Sequence, residues 1–145
     1  RKFSNTSLKL YDRLPYILLR RKTKNCRLLI DTGSTENFID YDIAPQHLIT
    51  KIPNTIKMKS VSGYFNVTHQ CTIPPNLLKI NLKTDTTFGI YKFHTFFNGI
   101  IGHDTLEQND SIIDYKNKEI TINGTKSIYI KLKVCLIVCL SFIGG

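Results

Sequence analysis

The stretch Leu28-Leu-Ile-Asp-Thr-Gly-Ser34 constrains this chain more than any other. Three apolar residues carry an acid into a tight turn whose glycine has no side chain to block close approach. A run of this kind reads as the end of a strand, and the carboxylate of Asp31 is expected to be presented there, not buried. Far downstream, Gly99-Ile-Ile-Gly102-His-Asp-Thr-Leu106 has two apolar residues, a glycine and then a helix start.

The remaining pattern is that of many short strands. Pro15 to Leu19 and Cys26 to Ile30 are apolar runs around a polar turn, and they predict a hairpin. Pro45 argues against one long helix between Phe38 and Ile49, so a strand and a short irregular or helical piece are expected there. Ile56 to Val61 and Tyr64 to His69 predict a second hairpin that turns at Ser62-Gly63. Further strands are expected at Leu77 to Leu82, Thr86 to Phe93, Ile112 to Asp114, Glu119 to Ile122 and Ser127 to Leu132. His103 to Gln108 is the best candidate helix. One short helix among so many strands makes the fold class mainly β.

With 145 residues and 41% hydrophobic composition, the chain can build one real core, which excludes disorder as its default state. Its net charge of +9 is concentrated at the front: residues 1–27 carry nine Lys and Arg against Asp12 alone. From Leu28 onward the charges nearly cancel, and no phosphate-binding face is expected on the body of the domain. The organisation expected is therefore a basic linker or arm at 1–14, a folded domain at 15–132 and an apolar tail at 133–145. That tail is too short for a transmembrane helix, which needs roughly 20 apolar residues. Cys26, Cys71, Cys135 and Cys139 lack the spacing of a zinc site or a disulfide framework, so reduced thiols, a cytoplasmic setting and no metal or cofactor are expected. The only methionine, Met58, lies deep in the chain, as expected of a piece of a longer precursor.

Together the Leu-Ile-Asp-Thr-Gly-Ser34 and Asn98-Gly-Ile-Ile-Gly102 segments resemble the paired signatures of retropepsins, the aspartic proteases of retroviruses and LTR retrotransposons. The likeness is strongest to the protease segment of gypsy-class polyproteins, where Leu14-Pro-Tyr-Ile and Ile113-Asp-Tyr-Lys-Asn-Lys-Glu-Ile-Thr-Ile122 also look familiar. It implies a closed, retropepsin-like acid-protease β-barrel, one lobe per chain. Hydrolysis by this class needs two carboxylates sharing one proton, because like charges so close cannot both ionise. The chain has one Asp-Thr-Gly and no Asp-Ser-Gly, so a homodimer with Asp31 opposite its own copy is expected.

What the resemblance implies for single residues follows from the motif. Asp31 would be catalytic, Thr32 would hydrogen-bond across the dimer axis, and Gly33 would admit substrate backbone. The hydroxyl of Ser34 would donate to Asp31. Val61, Ser62, Gly63 and Tyr64 would form the tip of a flap that closes over substrate. Ile100, Ile101 and Gly102 would support the active loop from beneath, and Asp104 would be a helix-start acid. In many retroviral members an ion pair braces this region; here His103 and Thr35 stand at its two positions, so that pair cannot form.

The function expected is an aspartic endopeptidase that cuts its own retrotransposon polyprotein, with a polypeptide as substrate and a second copy as partner. The alternative is an inactive retropepsin-fold remnant that binds peptide or dimerises. Nucleic-acid binding is expected only through the basic N-terminal arm, and no membrane partner is expected.

Overall fold

The computed structural model describes residues 14–22, 24–60, 63–93, 97–131 and 142–143. In chain order the strands are β1 (Pro15–Leu19), β2 (Cys26–Asp31), β3 (Phe38–Ile39), β4 (Ile49–Ser60), β5 (Gly63–Ile73), β6 (Thr86–Ile90) and β7 (Gly99–Gly102). After helix α1 (His103–Gln108) come β8 (Ile112–Asp114), β9 (Glu119–Ile122), β10 (Thr125–Ile128), β11 (Ile130–Lys131) and β12 (Phe142–Ile143). One 3-10 turn, Gln46–Leu48, follows Pro45. The fold is mainly β with one short helix, as the sequence pattern predicts.

Nine strands form one sheet in the order β11-β1-β2-β7-β3-β6-β5-β4-β12, and β10-β9-β8 form a small second sheet. Among the described residues no sheet closes into a barrel, and β11 and β12 are the two ends of the large sheet. Of the expected N-terminal arm only Leu14 is described. Of the apolar tail only Phe142 and Ile143 are described, and they pair antiparallel with Ser60 and Lys59.

At the centre, β2 and β7 run parallel, with Leu28 opposite Gly99, Leu29 opposite Ile100, Ile30 opposite Ile101 and Asp31 opposite Gly102. Side chains alternate across such a pair, so the two strands serve two cores. Leu28, Ile30 and Ile101 join an aliphatic core with Ile17, Leu19, Leu78, Leu106 and Ile120. Leu29 and Ile100 face the other way, toward Phe38, Met58, Val67, Phe93 and Phe97. Buried asparagines stitch the helix in place. The Asn109 side chain donates to the Thr105 carbonyl and accepts from the Lys83 amide, and its own carbonyl accepts from Asn123 N–H.

Three predicted strands need correction. Leu77 to Leu82 is a turn region: Leu78, Ile80 and Leu82 are all buried, but Lys79 between them has a φ of 59°, which breaks any extended ladder. β6 stops at Ile90, where the chain leaves the sheet toward Tyr91 and Phe93. The expected strand from Ser127 is two strands, ending β10 at Ile128 and forming β11 at Ile130–Lys131, because the chain passes from the small sheet to the large one at buried Tyr129; Leu132 lies outside the described residues.

Candidate active site

Asp31 is the last residue of β2, and Asp31 to Ser34 closes as a turn in which Ser34 N–H donates to the Asp31 carbonyl at 3.2 Å. Thr32 and Gly33 are exposed at its tip, whereas Asp31 and Ser34 are buried. The carboxylate is thus not presented as expected: Asp31 is only 4% exposed. Its Oδ1 accepts from Gly33 N–H at 2.9 Å, while Oδ2 is buried with no partner. Burial outweighs the help from the Gly33 and Ser34 amides and pushes the carboxyl up to about 6. The dominant cause is desolvation, which disfavours the charged form.

The Ser34 hydroxyl does not reach Asp31. It donates to the Glu36 carbonyl at 2.8 Å, so the serine shapes the descending limb of the turn and leaves the acid alone. Ile100, Ile101 and Gly102 on β7 are all buried and stand opposite Leu29, Ile30 and Asp31. Gly102 is required by contact: a Cβ there would stand 2.5 Å from the Glu36 carbonyl oxygen and 2.6 Å from that of Ser34. The loop and the β7–α1 junction are in backbone contact, and His103 N–H donates to the Ser34 carbonyl at 2.6 Å.

What replaces the missing ion pair is Asn37, a residue the motif comparison passed over. Its Oδ1 accepts from Gly102 N–H at 2.8 Å, and its Nδ2 donates to Thr105 Oγ1 at 2.6 Å and to the Thr87 carbonyl at 3.2 Å. One buried amide therefore ties the active loop to β7, α1 and β6. Its only sequence signal is a lone amide directly before the apolar pair Phe38-Ile39. His103 turns outward and pairs with Glu107 at 2.9 Å. Asp104 sits in the first turn of α1, and Gly102 is the N-cap.

The expected flap is the β4–β5 hairpin, longer than predicted and irregular between Lys51 and Ile56. Val61 and Ser62 lie outside the described residues. Gly63 has a φ of 128°, which suits a glycine at the turn. Tyr64 is 64% exposed and faces away from the core. The inner face of the hairpin carries Met58 and Val67 onto Leu29 and Ile100. Beside them a cavity of about 160 Å³ opens between Glu36, Phe38, Ile52, Met58, Val67 and Gln70; Asp31 does not line it. A chain of ring contacts runs below the hairpin, Phe38 to Phe65, Tyr91, Phe93 and Phe97, with centroids 4.5 to 5.7 Å apart.

Cys26 and Cys71 are buried free thiols. Desolvation pushes Cys26 up to about 11, which keeps it a packing residue. Cys135 and Cys139 lie outside the described residues. Among the described residues no three His, Cys, Asp or Glu side chains stand together as a metal site, and no helix is long and apolar enough to cross a membrane.

No family model matches the chain. Over 123 residues it is 28% identical to the Retrovirus-related Pol polyprotein from transposon 297 of Drosophila melanogaster, a match covering 84% of this chain and 11% of that polyprotein. Its fold is similar to the crystal structure of the retroviral protease-like domain of Ddi1 from Leishmania major, with a TM-score of 0.53 and 17% identity. That likeness covers 82% of this chain and 94% of the other.

Proposed function

From a retroviral protease-like fold and a retrotransposon Pol polyprotein homologue, we propose that the chain is one subunit of a retropepsin-type aspartic endopeptidase acting on a polyprotein. Asp31 from each of two identical chains forms the catalytic dyad. The observation that carries this reading is the state of Asp31: a carboxyl at the end of β2, buried, with Oδ2 unpartnered and its proton held up to about 6. Such a group is suited to sharing a proton with a twin. The ionised member takes a proton from water, the resulting hydroxide adds to the scissile carbonyl, and the protonated member donates to the carbonyl oxygen. The titrations then belong to the pair.

In this assembly Thr32, exposed at the turn tip, reaches the partner's loop. The β4–β5 hairpin acts as the flap, and one lobe comes from each chain. The setting is the cytoplasm, where the precursor is made and cut.

The test is cleavage of a peptide library by the purified chain beside Asp31→Asn. Activity that disappears in the variant, and that a statine-type transition-state mimic blocks, supports the dyad. The rate should fall as pH rises and the shared proton is lost, because burial raises the Asp31 carboxyl above its ordinary range; a rate still rising above neutral pH counts against it. The second reading, an inactive remnant, is favoured by the aromatic side chains that fill the face beneath the hairpin and by a cavity there that Asp31 does not line. A dimer, established by mass, that cuts nothing selects that reading.

A further inference from the structure

The near-neutral body of the domain hides a segregation of charge. Between Asp42 and Asp85 there is no Asp or Glu, yet the stretch carries Lys51, Lys57, Lys59, Lys79 and Lys83. Two of these are used internally: Lys83 pairs with Asp110, and Lys79 Nζ donates to the Arg20 carbonyl at 3.3 Å. The other three stand on β4, exposed and without a carboxylate partner among the described residues.

Lys57 and Lys59 share the outer face of the β4–β5 hairpin, opposite Asn66 and Tyr64 in register. Residues two apart on a strand are about 6.6 Å apart, comparable to the separation of successive phosphates on an extended single strand. Beside them the Tyr64 ring is exposed, and the Lys57 ammonium lies 4.4 Å from its centroid. Two cations beside an exposed aromatic ring are what single-stranded nucleic acid requires, charge for the backbone and, on the ring face opposite Lys57, a π surface for a base.

We propose that the outer face of the β4–β5 hairpin, Lys57 and Lys59 with Tyr64, binds single-stranded nucleic acid. An acidic polypeptide would use the lysines but has no need of the ring, so the tyrosine decides between the two classes. This surface is independent of the dyad and lies on the side of the hairpin turned away from Met58 and Val67.

The test uses the full chain, so that the basic residues 1–13 are present in every sample as a constant background. Anisotropy of a labelled uridine 20-mer is measured across a salt series for wild type, Lys57→Ala/Lys59→Ala and Tyr64→Ala, with thermal unfolding to verify that each is folded. The double lysine variant should lower the slope of log affinity against log salt by roughly 1.4, two phosphate contacts on a single strand. Tyr64→Ala should weaken binding roughly tenfold with the slope nearly unchanged. A slope unaffected by the lysine change places binding elsewhere on the chain and overturns the proposal. So does an unchanged affinity in Tyr64→Ala, or poly-glutamate competing as well as the oligonucleotide.

Discussion

The two faces of the β2–β7 pair are built from neighbouring residues but closed in different ways. Leu28, Ile30 and Ile101 are covered by α1, the small sheet and β1, in a core of branched aliphatic side chains. Leu29 and Ile100, equally buried, are covered by the β4–β5 hairpin and a run of aromatic rings. The first cover is held by hydrogen bonds from Asn37 and Asn109; the second rests on side-chain packing beside a cavity. Asp31 stands at the end of the strand that divides the two faces.

The largest expected difference lies in truncations one residue apart. Leu28→Ala should cost about 4 kcal/mol of stability, because the aliphatic core is fixed on every side and cannot close on the void. Leu29→Ala should cost nearer 2 kcal/mol, since the hairpin can settle into the space. Chemical denaturation of the two variants measures this. Equal losses would mean that the hairpin is as rigid as the helix side.

Next comes pH. Asp31 binds its proton more tightly folded than unfolded, so between about pH 4 and 6 the folded state holds more protons and stability falls as pH rises. The contribution is complete below pH 4 and gone above 6, on the order of 3 kcal/mol. Asp31→Asn should remove this dependence and leave the protein more stable at pH 8, while abolishing any cleavage. A pH profile unchanged by the substitution would place the acid in solvent. Asn37→Ala comes after it, at about 2 kcal/mol, from stranding the Gly102 amide and the Thr105 hydroxyl. Hydrogen exchange should then rise at Gly102 and His103, at the β7–α1 junction, and not in β4.

Local chemistry made much of this visible beforehand. The bounds of β1 and α1, the turn at Asp31 and the glycine of the second motif follow from short apolar runs, a proline and a helix start. Long-range pairing was not legible in that way. β4 and β5 run past Ile56 and His69 because Ile49, Thr50 and Lys51 find Cys71, Gln70 and His69 across the hairpin, although Pro53 and Asn54 argue locally for a break. Leu78, Ile80 and Leu82 mimic a strand because three buried side chains at alternate positions can also line a turn. The burial of Asp31 depends on how loop and β7 meet, and the role of Asn37 depends on three groups that are distant in the chain. Neither property belongs to a motif.

The smallest expected effect bears most directly on the comparison. Phe65 is the hairpin's own ring in the aromatic run, 5.7 Å from Phe38 and 4.5 Å from Tyr91. Being only partly buried, it should cost about 1 kcal/mol when cut to alanine, close to the worth of its ring pairs. Its consequence should be local: amide exchange in β4 and β5 faster, and in β2 and β7 unchanged, because the hairpin would open without unfolding the strands beneath it. If exchange in β2 and β7 rose to the same degree, hairpin and body would be one cooperative unit. The second face would then open only when the first came apart, and a substrate could not be admitted by moving the hairpin alone.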